Sequence, residues 1–520
     1  MSAGTLAHEL PEPGARPRRV TQVISGDLAV VGALTALAAV LRFAAIGHQG
    51  FWYDEGSTAL LVHASPIRML RLLPHRESTP PLYYCLAWVW ARVFGYGEAG
   101  LRSLSALAGV ATVPVVYAAG ARLISRRAGL VAAALTACNP LLIWYSQEAR
   151  SYALLVLLTA FSLFAFANAS EEPSPRRLTV WALAAVLALA THYYAVLAVI
   201  PEAVWLLAAH RRTRAVRLGV GAVGLFGLAL IPLAVAQAGT GHTSWIAAIP
   251  LGSRLGQIPR QFLIGFGAPA AGRMALAGAV IVAGALASLT CRADAHERRG
   301  ALLAASIVAA GLALQLLLVA GGSDQLITRN VLALWVPAAL LVAAGLGARR
   351  AGMLGLAGAA ALCAVGVVAA VGVMRDRNLQ RPDWRPTARA LGPRPAAGSA
   401  AGRAILVQHY RQLLPLSLYM PGLRAVPRRG ALVSELDVIS IAAPRVRLCW
   451  WGAACNLTGS QMQSSYPIPG FRVIWRRREL QFTILRMVAS VPVRLTPRIV
   501  SQALTTTSMG HDELLVQPPG

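Results

Sequence analysis

Eleven apolar runs punctuate this chain, and they restrict it more than any other feature. They cover about Leu28–Ile46, Ser103–Gly120, Ala128–Trp144, Ser151–Asn168, Leu178–Ala190, Tyr194–Ala209, Leu218–Ala236, Met274–Leu289, Ala301–Ala320, Val331–Leu346 and Met353–Val373. A helix rises 1.5 Å per residue, so a run of about 20 apolar residues matches the hydrocarbon layer of a bilayer. Only 13% of the 520 residues are charged, about half of what a soluble chain carries. The fold class expected is a polytopic α-helical membrane protein.

Arginine sets the expected topology. All 48 basic residues are arginine, and the formal charge is +27. The clusters are Arg16 to Arg19; Arg122, Arg126 and Arg127; Arg176 and Arg177; Arg211 to Arg217; Arg292, Arg298 and Arg299; and Arg349 and Arg350. Eleven spans with a cytoplasmic N-terminus put every cluster inside, as the positive-inside rule requires. Counting Pro81–Tyr96 as a twelfth span would move every cluster after the first outside. That segment is short, carries Arg92, and holds Tyr83, Tyr84, Trp88 and Trp90, so it is expected to lie on the membrane surface. A second surface helix is expected over Ser57–Leu73. The basic charge is spent on topology, and no basic, aromatic strip of the kind that holds single strands interrupts it, so nucleic acid is excluded as a partner.

The expected organisation has four parts. Residues 1–25 form a cytoplasmic tail, with the first span retained rather than cleaved. Residues 26–374 form the membrane domain, whose first outer loop is 47–102. A small α/β domain outside the membrane follows over 375–495, with strands at Arg403–His409, Val446–Trp450, Phe471–Trp475 and Phe482–Arg486 and a helix at Leu413–Met420. Residues 496–520 read as a disordered tail. Cys449 and Cys455, six apart across WWGAA, could pair in an oxidising compartment or stay free thiols.

Four constellations carry chemistry. Asp54 and Glu55, in FWYDEGSTALL, stand where a span gives way to water. Asp54 could cap a helix, but capping needs one acid and the loop offers two. A carboxylate there can take the proton from an attacking hydroxyl. The second is Tyr145 to Tyr152 (YSQEARSY), a very short outer loop in which Glu148 and Arg150 either form a closing salt bridge or supply a second acid and a phosphate clamp. The third is Gly322 to Asn330, whose Arg329 enters a span from outside. It either snorkels or holds an anionic headgroup. The fourth is His75 and Glu77, which with His192 could bind a divalent metal, although solvated surface residues are the plainer reading.

WYDE, then PPLYY, then FG.GE.GLRSLSALAG, then YSQEARSYALL, in this order and spacing, resembles the GT-C membrane glycosyltransferases. The branch is that of bacterial protein O-mannosyltransferase and lipid A aminoarabinose transferase relatives. The resemblance runs from about Phe51 to Leu158, continues through the TRN segment, and fades in the outer domain. It implies transfer of a sugar, mannose or arabinose-like, from a polyprenyl-phosphate donor to an acceptor hydroxyl, with inversion, on the outer face of a bacterial plasma membrane. The acceptor would be an envelope glycan, a glycolipid or a secreted protein. Asp54 matches the family's catalytic acid, with Glu55 beside it, and Glu148 matches the acidic position of the second outer loop. Donor and substrate contacts are expected from Arg150, Arg329, Tyr83, Tyr84, His192 and Arg102. Where relatives have His before PPLYY this chain has Thr79, and Glu77 is out of register with the family's glutamate. That departure leaves a metal at Glu77 and His75 unsupported by the pattern, and no cofactor is otherwise implied.

Two other functions fit the same spans. A transporter or flippase of lipid-linked sugar would need ionisable residues near the middle of spans or inverted repeats, whereas the acids here gather at one face. A non-catalytic scaffold that binds lipid-linked sugar would differ from an enzyme only in assay.

Overall fold

The computed structural model describes residues 17–392, 401–408, 413–441, 462–505 and 512–518, with the side chains of 17–25, 378, 413 and 441 left aside. The segment holding Cys449, Cys455 and the strand expected at Val446–Trp450 lies outside the described residues.

A bundle of helices fills the first three quarters of the chain. The first span is α1 (Pro17–Phe43). Three short helices follow, α2 (Tyr53–His63), α3 (Pro66–Arg76) and α4 (Leu82–Phe94). The single surface helix expected over Ser57–Leu73 is thus two, broken where Ser65 caps α3 by accepting from the Arg68 N–H and Pro66 occupies its first turn. Next come α5 (Glu98–Leu123), α6 (Arg126–Cys138), α7 (Pro140–Ser146), α8 (Tyr152–Glu171), α9 (Pro175–Thr191) and α10 (Val196–His210). The remainder are α11 (Arg214–Ala229), α12 (Ile231–Ala238), α13 (Leu251–Ile264), α14 (Ala271–Arg292), α15 (Ala295–Ala320), α16 (Trp335–Gly347) and α17 (Gly352–Arg375). Among the described residues nine helical segments are long and apolar enough to cross a membrane, and ten if α6 and α7 count as one bent span. The expected eleventh is α9, whose 17 residues sit at the lower limit for crossing.

The bend of 57° between α6 and α7 has a local cause. Pro140 has no N–H to continue the helix, and Asn139 restarts it by accepting from the Leu142 N–H at 3.0 Å. Buried Arg42 of α1 donates to the freed carbonyls of Thr136 (2.9 Å) and Ala137 (3.0 Å) and to Ser146 Oγ (3.2 Å). Close packing makes this possible. A Cβ on Gly109 of α5 would stand 2.1 Å from Ser146 Oγ and 2.8 Å from Arg42 Nε.

The two ends of the bundle differ in kind. At one end Arg126 pairs with Asp27 (2.6 Å), Arg177 with Glu172 (2.8 Å) and Arg122 with Glu171, all on partly exposed side chains. The loops expected outside meet at the other end, where α2 to α4, the α7–α8 turn, His192, the α12–α13 connection and residues 321–329 converge. The acids are thus not gathered at one face, since Asp27, Glu171 and Glu172 lie at the arginine-rich end, and one further acid lies between the ends. Glu202, fully buried halfway along α10, accepts from Ser162 Oγ (2.6 Å) and Trp181 Nε1 (2.8 Å).

Among the described residues the C-terminal domain holds a six-stranded mixed sheet in the order β2-β6-β1-β3-β5-β4. Its strands are β1 (Gly402–Val407), β2 (Arg424–Ala425), β3 (Ala431–Ile441), β4 (Phe471–Glu479), β5 (Phe482–Leu495) and β6 (Glu513–Gln517). Only β1 and β3 run parallel; the other pairs are antiparallel. Strand alternation divides the core. Ile405 and Val407 pack under α18 (Trp384–Leu391) and α19 (Leu413–Tyr419), while Ala404 and Leu406 face the side covered by α20 (Pro497–Gln502). The described parts of the expected tail are therefore ordered elements: α20 seals one face, and β6 lies between β1 and β2.

The sheet domain grips the first outer loop directly. Gly50 N–H donates to Asp383 Oδ1 (3.0 Å), and the Tyr419 hydroxyl accepts from Phe51 N–H and donates to Glu98 Oε1 (2.7 Å). A Cβ at Gly50 would stand 2.7 Å from Asp383 Oδ1, so this contact needs glycine.

Candidate active site

Four acid–arginine pairs converge where the outer loops meet, and their exposure ranks them. Asp54 and Arg329 are 3.0 Å apart, with side chains 22% and 15% exposed. The other three pairs are Glu55–Arg102 (2.6 Å), Glu77–Arg150 (2.7 Å) and Glu148–Arg381 (2.8 Å), and every side chain in them is less than a tenth exposed. Of the four, only the first pair has both side chains open enough to meet a reactant without displacement of protein.

Neighbours in sequence face different ways because α2 turns by about 100° per residue. The α2 N-cap is Trp52, with no side-chain capping bond, so Asp54 is not the cap. Its carboxylate sits in the first turn, where the helix dipole favours negative charge, and points at Arg329. Glu55 points inward. It accepts from Arg102 Nε (2.7 Å), Arg102 Nη2 (2.6 Å) and Ala149 N–H (2.8 Å), and these contacts hold its carboxyl below the ordinary range against the opposing effect of burial. Arg102 also donates to the carbonyls of Ile46, Gln49 and Gly50. The expected catalytic role of Glu55 and donor contact of Arg102 give way to a structural one: they fasten the first outer loop to α5 and the α7–α8 turn.

Arg150 does not close a salt bridge with Glu148; it pairs with an acid from another loop. Its Nη1 donates to both oxygens of Glu77 (2.9 and 2.7 Å) and to the Asp54 carbonyl (3.1 Å). Tyr84 donates to Glu77 Oε2 (2.7 Å), and Tyr83 shares a hydrogen bond with Ser105 (3.0 Å). Both tyrosines are fully buried, so neither offers the substrate contact expected of it.

Arg329 opens the 3-10 turn Thr328–Leu334, ahead of α16. The strand of loop before it is pinned by Arg254 of α13, which donates to Asp324 Oδ2 (2.7 Å) and the Leu326 carbonyl (3.2 Å). The Trp245 ring lies 5.5 Å from the Arg329 guanidinium, a cation–π distance. His192 is buried and its Nδ1 accepts from the Tyr194 N–H at 3.2 Å. Burial first, then the charges of Arg329 and Arg150, lower its pKa to about 3, so the ring is neutral.

Glu148 ends in the same pocket. Burial raises its carboxyl to about 7, opposed by Arg381 and reinforced by Glu55 and Asp54. Arg381, in the linker after α17, also donates to the carbonyls of Trp144 (3.0 Å) and Gln147 (3.2 Å) and lies 4.0 Å from the Trp144 ring. Among the described residues, twelve buried side-chain polar atoms have no protein partner, and five lie here: Trp52 Nε1, Glu148 Oε1, Arg150 Nε, Ser151 Oγ and Arg381 Nε. Such atoms are rare in a native interior, so their concentration marks the place where a polar ligand would complete the bonding.

The metal reading does not fit. His75 is exposed on α3, and Glu77 is taken by Arg150 and Tyr84. Among the described residues no group of three or more His, Cys, Asp or Glu side chains could hold a metal ion.

An apolar groove of about 400 Å³ runs beside the pocket, lined among others by Leu135, Phe262, Leu263, Leu286, Trp335 and Leu362. One aromatic layer joins the two. Phe266, a turn beyond Phe262, lies 5.4 Å from Trp144 and 5.8 Å from Tyr145, and Tyr145 lies 4.6 Å from Tyr152.

Residues 78–235 match the model of a family described as dolichyl-phosphate-mannose-protein mannosyltransferase. Two solved structures of ArnT from Cupriavidus metallidurans, one bound to undecaprenyl phosphate and one in the apo state, are similar along nearly the whole chain. Each has a TM-score of 0.54 at 13% identity over 90% of this chain and 98% of ArnT. The chain shares the fold of these ArnT structures. The S. cerevisiae protein O-mannosyltransferase Pmt1-Pmt2 complex, bound to its sugar donor, is similar over 42% of this chain and 34% of its own, at 16% identity and a TM-score of 0.32. No curated protein sequence matches.

Within this fold, Asp54, Glu148, Arg150, Arg329 and His192 come together as expected from sequence, although they arise from four separate loops. Sequence reasoning passed over Arg381, Trp245 and Trp52. Nothing in a polar linker tells that its arginine folds back under an earlier loop.

Proposed function

We propose that this protein is a glycosyltransferase that moves a sugar from a polyprenyl-phosphate donor to an acceptor hydroxyl at the outer face of the plasma membrane, with Asp54 as general base. The observation that carries this reading is the accessible Asp54–Arg329 pair, set one aromatic layer from an apolar groove. The pair supplies a base and a phosphate-binding cation; the groove suits an isoprenoid tail. The similar fold of ArnT was solved with undecaprenyl phosphate bound. Arginine clusters at the far end of the bundle favour an outward-facing pocket.

The free protein keeps base and cation on each other. Donor phosphate entering beside Arg329 takes over part of that cation and frees the carboxylate. The acceptor oxygen then attacks the anomeric carbon as the bond to the phosphate oxygen breaks, which inverts the centre. The acceptor proton passes to Asp54, and the lipid phosphate leaves with the bonding electrons, its charge balanced by Arg329. Glu148 is placed as a second acid in the same pocket, and Trp245 stands where a sugar face would meet an aromatic ring.

The test is transfer by the purified full-length protein from a panel of radiolabelled polyprenyl-phosphate sugars. Transfer from one of them, lost in Asp54→Asn while the variant inserts and binds donor, is the expected result. Full activity in Asp54→Asn would remove the base from the mechanism.

A further inference from the structure

The linker between the membrane helices and the sheet domain does more than join them. Arg381 reaches back from it to the α7–α8 turn, where its Nη2 donates to Glu148 Oε2 (2.8 Å) and its fork holds the Trp144 and Gln147 carbonyls. One oxygen of Glu148 is thereby fixed, while Oε1 is buried with no protein partner. Arg381 is in turn held from outside. Gln481, buried in the turn between β4 and β5, donates to the carbonyls of Arg377 (2.8 Å), Gln380 (3.3 Å) and Arg381 (3.2 Å) and accepts from the Asp383 N–H (3.0 Å). A single side chain of the sheet thus sets the backbone on both sides of the arginine that sets the acid.

We infer that Arg381 is a positioning residue for Glu148, and that Gln481 seats Arg381, so that docking of the sheet domain prepares the acid pocket of the membrane domain. This rests on the sugar-transfer reading above and extends it to a residue and a domain that touch no reacting atom. A plain loop-closing salt bridge would explain the Arg381–Glu148 contact alone. It would not explain why the arginine is stacked on Trp144 (4.0 Å) and approaches Trp52 (5.7 Å), nor why its backbone is capped by a buried glutamine from another domain.

The charges facing Glu148 are Arg381 from the linker, Asp54 and Glu55 from α2, and Arg150 from its own turn, with Tyr83 of α4, Tyr145 of α7 and Tyr152 of α8 close enough to feel it. Arg381 is the largest of the charges that favour the ionised form. Removing that charge moves the ionisation of Glu148 to higher pH. An opposite charge at this distance is worth about one to three pH units.

The experiment measures transfer from pH 5.5 to 9 by the full-length protein and by Arg381→Met, Arg381→Lys and Gln481→Ala, these pH values being about those over which a carboxyl near 7 titrates. In Arg381→Met the limb governed by Glu148 is expected to move up by about one unit or more. Arg381→Lys keeps the charge and should leave the limb near that of the wild type with kcat reduced. Gln481→Ala should move the limb in the same direction by less, with KM for the lipid donor unchanged. Variants that fold and lose activity evenly across pH, with the limb in place, would overturn the inference. The carboxyl infrared band of Glu148, assigned by its loss in Glu148→Gln, reads the same displacement without turnover. Absence of transfer in the wild type would therefore refute the sugar-transfer reading alone, while an unmoved carboxyl band in Arg381→Met and Gln481→Ala would refute the positioning.

Discussion

The Asp54 carboxylate and the Arg329 guanidinium lie 275 residues apart in the chain and 3.0 Å apart in space. Of the four pairs in the pocket theirs alone has both side chains more than a tenth exposed. A pair so placed keeps some contact with solvent, so changing either member costs less than at the three fully buried pairs. The two members should fail differently. Asp54→Asn is expected to lower kcat by roughly 100-fold or more while donor binding persists. Arg329→Met is expected to weaken donor binding, because the phosphate loses its cation. Titration of each variant with a polyprenyl-phosphate sugar, followed by single-turnover transfer, separates the two. Equal loss of binding in both would contradict the division of labour.

Glu55 is adjacent to Asp54 in sequence and opposite to it in consequence. Its carboxylate satisfies three donors in a dry interior. Removing one partner of such a buried pair costs about 3–5 kcal/mol. Arg102→Met should therefore reduce the yield of folded protein and lower its thermal midpoint sharply, in contrast to Asp54→Asn. A fluorescence-detected thermal scan in detergent makes the comparison. A normal melting profile for Arg102→Met would mean that the first outer loop is fastened by other contacts.

Glu148 predicts a pH dependence of stability whose sign is fixed. Its folded-state pKa, about 7, lies above the ordinary 4.5 because burial disfavours the charge. The folded state therefore holds the proton more tightly than the unfolded chain. The resulting stabilisation is fully present below about pH 4.5 and is lost as pH rises through about 7, with a ceiling on the order of 3 kcal/mol. Thermal midpoints of the wild type should fall relative to Glu148→Gln between those limits and run parallel above them. A difference between the two proteins that does not vary with pH would show that Glu148 ionises normally.

Much of this was legible from the chain alone, for reasons that separate one residue from another. Apolar runs and arginine clusters report on the bilayer, which acts on every residue in the same way, so the bundle and the gathering of outer loops followed from them. Asp54, Glu148 and Arg329 were conspicuous because charge beside a span is costly unless used. Sequence did not tell which acid of the DE pair faces the pocket. That depends on the helical phase of α2, and the phase is set by Arg102 on another helix. Nor did it reveal Glu202, a lone acid in an apolar run, whose partners Ser162 and Trp181 come from two other helices. The residues after Thr496 looked like a tail because β6 is short and its partners β1 and β2 lie about a hundred residues earlier. Pairing at that separation leaves no local mark.

The bend between α6 and α7 supplies a fourth test. Arg42 stabilises it by bonding to the carbonyls of Thr136 and Ala137 and to Ser146 Oγ, and Gly109 leaves room for that contact. Gly109→Ala should destabilise the protein by about 1–3 kcal/mol, as overpacking does. The added methyl meets the hydroxyl of Ser146 first, so Gly109→Ala combined with Ser146→Ala should recover part of the loss. Thermal midpoints of the two single variants and the double variant complete the cycle. Strict additivity would mean that Gly109 packs against something other than this cluster.

The groove beside the pocket makes the last prediction, which depends on the length of the donor rather than on its sugar. Val342 lines the groove and is remote in kind from the acid pocket, so replacing it with tryptophan fills apolar space without touching a charge. A polyprenyl tail lying there would lose contact with the wall, at about 0.8 kcal/mol for each methylene no longer buried. Two displaced methylenes already exceed the 1.4 kcal/mol that corresponds to a tenfold change in affinity. Val342→Trp should therefore raise KM for a long-chain donor tenfold or more, while kcat at saturation and KM for a short-chain analogue stay near the wild-type values. The contrast between the two donors is the measurement. A variant that handles long and short chains as the wild type does would place the tail elsewhere, and the groove would then be a gap between helices filled by ordinary lipid.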